Sequence, residues 1–324
     1  MSHSIALVTG TTSGLGYAAA KLLAAEGCRQ VIVTGRSLAG AKEAAAQLAA
    51  ETKTQVFTPL ELDLNAPTSV EAALAELVKR GGPIDFLLLN AGIVGGNKRV
   101  LTAAGIEAAE APLIGHHQLT VGLLGAGLLS PSARIVISGA EPARGDVPMF
   151  SYTDVAAFAA KHHQGDRTAA VEALVRSGPN VKYEPNRAYA DAKLIVAWWA
   201  AALARRLPSG MAVYAVSPGS APDTLAARNA GPAVKWLFVP MARLLGMTQT
   251  PETAARRYLQ ASELGTDVSG QFFASAPKKL TGPMEAMRHP HLHDRENQEA
   301  AWQAVVKVSG VDFPSAGQLS AVSG

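Results

Sequence analysis

Short apolar runs alternate with longer, alanine-rich stretches along most of the chain. The first five runs read IALVTG, QVIVTG, QVFTPLELD, IDFLLLNAG and ARIVISG. Strands that are apolar without interruption are typical of parallel sheets, because both of their faces are buried. Parallel strands joined through helices form right-handed crossovers, so the pattern predicts a doubly wound parallel α/β sheet with helices on both faces.

The alanine-rich stretches place apolar residues at helical spacing and therefore predict the helices. These predicted helices cover residues 14–26, 38–50, 69–79, 113–129, 188–206, 251–263 and 295–308. Two further strands are predicted in MAVYAVSPG and GQFFAS. A polar segment between Glu141 and Asn186 interrupts the alternation, and we expect one or two helices in it. We therefore predict one domain over residues 1–283, with 141–186 as an insertion, and a C-terminal extension over 284–324.

Composition and charge narrow the class of protein. Hydrophobic residues make up 48% of the 324 residues and charged residues only 17%, so the chain can bury a sizeable core. The net charge of +3 is spread along the chain without a basic run, which gives no reason to expect a nucleic-acid partner. Cys28 is the only cysteine, which excludes an internal disulfide and fits a reducing cytoplasm.

The apolar stretches give no sign of membrane insertion or export. The longest of them, LIVAWWAAALA and LTVGLLGAGLL, are too short to span a bilayer. The chain enters its first strand after four residues and lacks the basic region of a signal peptide. We therefore expect a cytoplasmic protein without a transmembrane segment.

The first strand ends in the glycine-rich turn TGTTSGLG, from Thr9 to Gly16. Gly10 permits a tight turn, Gly14 lets the backbone approach a pyrophosphate, and Gly16 lets the helix pack closely on the sheet. Backbone N–H groups at the start of the following helix then face the phosphates. The turn predicts a nucleotide site, although an ordinary glycine-rich turn remains the alternative. The intervening candidates for this site are Thr12, Ser13 and Leu15.

The second strand ends in VTGRS, which bears on the choice of cofactor. Sites that prefer a free 2′-hydroxyl place a carboxylate about here, whereas this chain has Gly35 and Arg36. A guanidinium suits a 2′-phosphate, so we predict NADP(H) as the cofactor, with Arg36 as its ligand. The alternative is an arginine that is merely solvated after a strand.

Five short motifs, in this order and spacing, resemble those of the short-chain dehydrogenase/reductases over residues 1–275. The motifs are TGTTSGLG, LDL from Leu62 to Leu64, NAG from Asn90 to Gly92, YADAK from Tyr189 to Lys193, and SPG from Ser217 to Gly219. GHHQLT and YADAKLIVAWWAAALARRL are most similar to the retinol-dehydrogenase-like branch, which acts on bulky apolar carbonyls and alcohols. The resemblance implies a single Rossmann-type sheet, and a homo-oligomer formed through the helices flanking Tyr189.

The resemblance also implies roles for Tyr189 and Lys193. Tyr189 would donate or accept the proton, while Lys193 would lower the pKa of that tyrosine and hold the ribose hydroxyls. Physical chemistry supports this pair, because a spacing of four residues puts both side chains on one helical face and an ammonium favours the phenolate. Without the cofactor motifs, such a spacing is usually structural.

The remaining cofactor contacts follow from the same resemblance. Asp63 would bind the adenine with Leu64 beside it, and Pro218 and Gly219 would lie beside the nicotinamide. The other candidates for the cofactor site are Asn90, Ala91, Gly92, Ser220 and Thr224.

Two positions depart from the family pattern. Relatives carry a serine after the fifth strand, where this chain has Ala140, and Ser138 is the nearest candidate to replace it. Relatives also carry an asparagine in the fourth helix, where this chain has Pro112, which would disturb the start of that helix. Losing an oxyanion-type donor costs roughly 10²–10³ in rate, so a substitute group matters.

The segment 141–186 is the expected source of a substitute, because it precedes Tyr189 directly and should pass close to the substrate. Its polar candidates are Ser151, Tyr152, His162 and His163. A solvated excursion or an oligomer contact is the alternative.

Three other features invite a functional interpretation. His289, His291 and His293 alternate, as ligands on one face of a strand would, although a proline lies among them and no metal site is predicted. His116 and His117 are expected to pack in the core or against a partner. Residues 220–247 are a candidate substrate lid, in which Trp236, Phe238 and Met241 would line an apolar pocket, although a core or interface segment is the alternative.

The main hypothesis is an NADP(H)-dependent oxidoreductase. It would transfer hydride between the nicotinamide and a carbonyl or alcohol of an apolar small molecule, with Tyr189 handling the proton. The alternative is an NADP-binding sensor or partner-binding protein with little or no catalysis, because Ala140 and Pro112 replace expected catalytic groups.

Overall fold

A computed structural model describes residues 3–93, 96–221 and 248–315. Within these residues, one sheet contains the strands β1 (Ile5–Val8), β2 (Gln30–Gly35), β3 (Phe57–Glu61), β4 (Ile84–Leu89), β5 (Leu129–Ser138), β6 (Ala212–Val216), β7 (Phe272–Ser275) and β8 (Met284–Ala286). Their order is β3-β2-β1-β4-β5-β6-β7-β8. All neighbours are parallel except β8, which pairs antiparallel with β7. The predicted doubly wound parallel sheet is confirmed.

Helices cover both faces of the sheet. They are α1 (Gly14–Ala25), α2 (Leu38–Thr52), α3 (Pro67–Arg80), α4 (Ala111–Gly125), α5 (Val155–His162), α6 (Arg167–Arg176), α7 (Pro185–Ala204), α8 (Pro251–Ser262) and α9 (Arg295–Ser309). One core packs residues of α1, α2 and α8 against the sheet, and the other packs α3, α4, α6, α7 and α9 against the opposite face. Within the described residues, no helix combines the length and hydropathy needed to cross a bilayer.

The strand order reverses at β1, which lies between β2 and β4. In open α/β sheets, the crevice outside the carboxyl ends of the strands at such a point is the usual ligand site. Here the glycine-rich turn follows β1 and the NAG motif follows β4, so two of the motifs meet at this crevice. The SPG motif follows β6 at the same edge of the sheet.

Several helices begin at residues whose side chains cap them. Ser37 accepts a hydrogen bond from the Gly40 amide at the start of α2, and Asp294 caps α9 in the same way. Pro112 lies in the first turn of α4, where its missing N–H removes no helical hydrogen bond. The expectation that Pro112 disturbs the start of the helix is therefore wrong, because α4 begins one residue before it.

The insertion between Glu141 and Asn186 is largely ordered secondary structure. It begins with a 3₁₀ turn over Glu141–Arg144 and continues with α5 and α6 before α7 starts at Pro185. Asp154 and Asp166 cap α5 and α6 by accepting hydrogen bonds from backbone amides. The prediction of one or two helices in this segment is therefore confirmed, with two present.

Residues 284–315 continue the same fold. Strand β8 extends the sheet, and α9 packs against α4, α6 and α7. Trp302 of α9 is buried against the rings of His117 and Trp199. The strand β8 was not predicted, because three residues without alternation give no periodic signal.

Candidate active site

The glycine-rich turn after β1 lies tightly against the NAG segment after β4. Gly10 has φ +70°, and a Cβ atom there would come within 3.0 Å of Ala91. A Cβ on Gly16 would collide with the Gly10 carbonyl oxygen and approach Asn90 Nδ2 to 2.6 Å. Ser13 precedes α1 in extended conformation without a side-chain cap, so the amides of the first turn are open to an anion. This cradle fits a dinucleotide phosphate.

Asn90 ties the two strand ends together beneath this cradle. Its Nδ2 donates to the Thr9 carbonyl oxygen at 3.0 Å, and its backbone amide donates to Thr9 Oγ1 at 2.8 Å. Thr9 Oγ1 also shares a hydrogen bond of 2.9 Å with His116 Nε2. Burial lowers the pKa of His116 to about 3, so the imidazole is neutral and packs inside, as predicted for this residue.

The predicted adenosine contacts surround the ends of β2 and β3. Arg36 is exposed directly after β2. The Asp63 carboxylate accepts a hydrogen bond from the Asn65 amide at 3.0 Å, which fixes the loop after β3. The Leu64 carbonyl oxygen lies so close to α4 that a Cβ on Gly115 would collide with it. Thr12 borders this region, because its Cγ2 would lie 3.0 Å from a Cβ on Gly35.

Tyr189 and Lys193 share one face of α7 at the mouth of the crevice. Lys193 Nζ lies 5.9 Å from the centre of the Tyr189 ring and donates to the Ser138 carbonyl oxygen at 2.9 Å. A Cβ on Gly92 would lie 3.8 Å from Lys193 Nζ, so the lysine borders the NAG segment. The structure therefore brings the predicted tyrosine and lysine to the cofactor end of the molecule.

The pKa of Tyr189 is not lowered by Lys193 as the resemblance implied. Burial lowers the pKa of Lys193 to about 8. Burial also raises the pKa of Tyr189 above its ordinary value, and the Glu141 carboxylate raises it further. The expected lowering by Lys193 is not found, and Tyr189 is held as the protonated phenol.

Ser138, the candidate to replace the missing serine, is engaged elsewhere. Its Oγ shares a hydrogen bond of 2.8 Å with the hydroxyl of Tyr258 on α8. Ala140 is buried and presents only a methyl group. The Ser138 side chain therefore faces α8, while its carbonyl oxygen holds Lys193. A direct role for its hydroxyl in catalysis stays a prediction.

A buried ion pair, Glu141 with Arg257, lies beside this serine and was not predicted. Arg257 Nη1 is 3.4 Å from Glu141 Oε1, and both side chains are almost fully buried. Ser275 Oγ donates to the same carboxylate at 3.1 Å, and Ser217 Oγ donates to its other oxygen. The cluster joins the ends of β5, β6 and β7 to α8. The only sequence signal was a charged residue, Glu141, shortly after a buried strand.

The segment after β6 is fixed by the same arginine. A Cβ on Gly219 would lie 3.1 Å from Arg257 Nη1 and 3.1 Å from the Leu280 carbonyl oxygen. The Ser220 amide donates to that oxygen at 2.8 Å. Thr224 and the lid candidates Trp236, Phe238 and Met241 lie outside the described residues.

The polar candidates of the insertion have partners other than Tyr189 among the described contacts. Ser151 accepts a hydrogen bond of 3.4 Å from Arg187 Nε, and Tyr152 stacks on His291 with ring centres 4.5 Å apart. His162 and His163 pack on the ring of Phe158. The insertion nevertheless reaches the site, because Phe150 packs edge-on against Tyr189 with ring centres 6.2 Å apart.

Two of the three alternating histidines form hydrogen bonds with backbone carbonyl oxygens. His291 Nε2 lies 2.9 Å from the Ala143 carbonyl oxygen, and His293 Nε2 lies 2.9 Å from that of Met287. Among the described residues there is no group of three His, Cys, Asp or Glu side chains arranged for a metal ion. His117 accepts from Trp199 Nε1 at 3.1 Å, which agrees with the predicted packing role.

Comparison with known proteins agrees with this geometry. A family model described as short chain dehydrogenase matches residues 4–111. The chain is 31% identical to the oxidoreductase fscI of Fusarium equiseti over 221 residues, which cover 66% of this chain and 85% of that protein. It is 32% identical to a probable oxidoreductase of Streptomyces antibioticus over 278 residues, 83% of each chain.

The fold is also shared with solved structures. A short-chain dehydrogenase from Burkholderia cenocepacia in complex with NADP superposes with a TM-score of 0.57 and 23% identity, covering 82% of this chain and 94% of that one. Together with the curated relatives, these matches show that the chain belongs to the short-chain dehydrogenase family. It is an oxidoreductase of that class, while the retinol-dehydrogenase-like branch stays a prediction.

Proposed function

We propose that this protein is an NADPH-dependent reductase of carbonyl groups on apolar small molecules, with Tyr189 as the proton donor. The observation that carries the proposal is the placement of Tyr189 and Lys193 on one face of α7. There Lys193 borders Gly92, next to the cradle formed by Gly10 and Gly16. A nicotinamide cofactor and a proton donor are the two parts that a carbonyl reduction needs.

The cofactor would be held by groups already in place. The first-turn amides of α1 and the absence of Cβ atoms at Gly10 and Gly16 suit the pyrophosphate. The exposed guanidinium of Arg36 suits the 2′-phosphate of NADP(H). Bound there, the cofactor would supply the hydride, and Lys193 would face its ribose.

The protonation of Tyr189 favours reduction over oxidation. Burial, and after it the Glu141 carboxylate, raises the pKa of Tyr189 and holds the phenol in its protonated form, which is the form that donates a proton to a carbonyl oxygen. Lys193, with a pKa of about 8, is charged near neutral pH and stabilises the phenolate that forms as the proton leaves. Tyr189 therefore serves as the acid and Lys193 as its electrostatic partner.

The apolar border of the site indicates the substrate class. Phe150 packs against Tyr189, and Met149 beside it is 82% exposed. A large apolar side chain presented to solvent at a site is typical of a contact surface for an apolar ligand. We therefore propose ketones or aldehydes on bulky apolar molecules as substrates.

The first test is NADPH oxidation against a panel of bulky apolar ketones and aldehydes. Tyr189→Phe removes the proton donor and is expected to lower kcat by about 10²–10⁴-fold while NADPH still binds. Tyr152→Phe is the matched control, because it makes the same change in a tyrosine whose ring stacks on His291. A parent protein that binds NADPH without reducing any carbonyl would favour the alternative function, an NADP-binding sensor. A Tyr189→Phe variant as active as the parent would refute the assigned donor.

A further inference from the structure

Exposed apolar side chains gather along one border of the candidate active site. Among the described residues, six large apolar side chains are substantially exposed to solvent. Four of these six lie in the two segments that follow β4 and β5, and they are Ile93, Val100, Leu101 and Met149. Because a protein surface rarely groups apolar side chains without a function, this border is a candidate contact surface.

Hydrogen bonds bring these segments together around the start of α7. The Tyr183 hydroxyl donates to the Gly96 carbonyl oxygen at 2.8 Å. Asn186 Nδ2 donates to the Met149 carbonyl oxygen at 3.2 Å. These contacts place three segments side by side, and with Ile93 we call them the rim: residues 96–101, 149–151 and 181–187.

The rim is in contact with the groups proposed to react. Phe150 packs edge-on against the ring of Tyr189. Ile93 directly follows Gly92, where a Cβ atom would lie 3.8 Å from Lys193 Nζ. A molecule whose carbonyl group lies at Tyr189 therefore extends over the rim.

Met149 is held in an unusual conformation on this surface. Its backbone has φ +68°, in the left-handed region that residues other than glycine rarely adopt. Its side chain is 82% exposed, and Asn186 fixes its carbonyl oxygen. Such backbone strain persists only where the surrounding structure holds it, and it is concentrated at functional sites. The fold thus presents an apolar side chain to solvent beside Phe150.

The rim also carries the positive charge that the chain has in excess. Four of its residues are cations and one is a carboxylate, and they are Lys98, Arg99, Lys182, Arg187 and Glu184. Their net charge of +3 equals that of the whole chain, so the remaining residues balance to zero. The sequence shows no basic run, because the fold gathers these cations from two segments that are far apart along the chain. Such a local excess attracts anions.

The carboxylate of the rim does not neutralise its neighbours. Lys182 Nζ lies 3.1 Å from Glu184 Oε1, and Arg187 Nη2 lies 3.3 Å from Glu184 Oε2. One carboxylate therefore serves two cations, which leaves one positive charge in excess at this point. All three side chains are at least partly exposed, so an anion from solvent can reach them.

The other two cations contact no carboxylate within the part of the chain that the structure describes. Arg99 Nη1 donates to neutral groups of Ser177, the carbonyl oxygen at 3.2 Å and the hydroxyl at 3.4 Å. Lys98 is exposed and has no ion-pair partner among the described side chains. Burial raises the pKa of both Glu107 and Glu110, which follow this segment, and so favours their uncharged forms.

We propose that the substrate is an anionic amphiphile, an apolar molecule that carries both the reacting carbonyl and a carboxylate, sulfate or phosphate group. The apolar body contacts Ile93 and Met149, and the anionic group lies among Lys98, Lys182 and Arg187. This inference rests on the proposed reductase function and narrows its substrate class. A membrane of anionic lipids has the same two properties, but the contact between the rim and the reacting groups of α7 favours a substrate.

The test measures NADPH oxidation by the full-length protein with long-chain ω-oxocarboxylates, each paired with its methyl ester. Acid and ester share the aldehyde and the apolar chain, and they differ in the charge at the far end. We expect kcat/KM to be about tenfold higher for the acid at low ionic strength, mainly through KM. Raising NaCl from about 0.02 M to about 0.5 M should remove most of this preference, because salt screens exposed charges.

A double variant locates the anion on the rim. Lys98→Gln combined with Lys182→Gln is expected to reduce the preference for the acid over the ester by about five- to tenfold. Lys79→Gln is the matched control, because it makes the same change in an exposed lysine at the end of α3. That helix ends where β4 begins, at the edge of the sheet opposite to the rim, so the control should keep the preference.

The outcomes separate the substrate class from the reductase function. A parent that reduces no carbonyl overturns the reductase function and the substrate class with it. A parent that reduces neutral ketones, but shows no preference for the acid or leaves both acid and ester unreduced, overturns the anionic class alone. A preference that survives in the double variant overturns the rim as the contact of the anion. Sedimentation with phosphatidylglycerol vesicles, without a preference for the acid, would assign the rim to a membrane surface instead.

Discussion

At the scale of single residues, Arg36 is the side chain that distinguishes the two nicotinamide dinucleotides in the proposed site. Its guanidinium is exposed at the end of β2. A 2′-phosphate offers it charge-assisted hydrogen bonds that a 2′-hydroxyl does not. We expect Arg36→Ala to weaken NADPH binding by about 10–100-fold and NADH binding by less than about twofold, measured by fluorescence titration. Equal losses for both cofactors would contradict this role.

The sequence predicted candidate site residues where a local pattern indicates them, and gave no sign of residues that meet only through distant partners. The turn from Gly10 to Gly16 and the pair Tyr189 and Lys193 are local spacings, so their chemistry is readable from neighbours along the chain. Glu141 and Arg257 are 116 residues apart in the sequence, so no local spacing predicts their contact.

At the scale of elements, Glu141 and Arg257 join the ends of three strands to α8. Arg257 also donates to the Ser217 carbonyl oxygen at 3.0 Å and to the Gly282 carbonyl oxygen at 2.7 Å. Removing one member of a buried pair leaves the other charge uncompensated. Glu141→Gln is therefore expected to lower the free energy of unfolding by about 3–5 kcal/mol, measured by urea denaturation.

The same substitution has a second, catalytic consequence. Because the Glu141 carboxylate raises the pKa of Tyr189, its loss lowers that pKa. Oxidation of an alcohol needs the phenolate, so its rate rises as pH passes through the pKa of the tyrosine, and this limb should move to lower pH in Glu141→Gln. Glu263→Gln, on the surface after α8, serves as the control. A destabilised variant with an unmoved limb would show that Glu141 is structural only.

The ends of the elements were less predictable than their existence. The predicted helix 38–50 extends to Thr52 in the structure, because Lys53 adopts the left-handed conformation that ends it. A lysine in the sequence does not predict this conformation. The predicted helix 113–129 ends at Gly125, because the chain must turn before β5 begins at Leu129. Both differences arise from local backbone geometry rather than from the apolar pattern, which was correct for both helices.

At the scale of the whole molecule, α9 covers the face on which an oligomer was expected. The resemblance implied association through the helices flanking Tyr189, which lies on α7. In the structure α9 packs across α4, α6 and α7, and Trp302 is buried against His117 of α4 and Trp199 of α7. The guanidinium of Arg206 lies 4.5 Å from the Trp302 ring and closes this contact from the α7 side.

An interface cannot form on a surface that the chain itself already buries. The polar contacts at the margin of α9 strengthen this packing, since Arg206 Nη2 lies 2.5 Å from Glu299 Oε1 and Arg205 Nη1 donates to Gln298 Oε1 at 2.6 Å. We therefore expect the protein to sediment as a monomer at micromolar concentration in analytical ultracentrifugation. Trp302→Ala, which removes a fully buried ring, should lower stability by about 3–5 kcal/mol and expose the apolar face beneath it. Concentration-dependent association confined to that variant would support the covering role of α9, whereas a parent dimer cross-linked through α7 would contradict it.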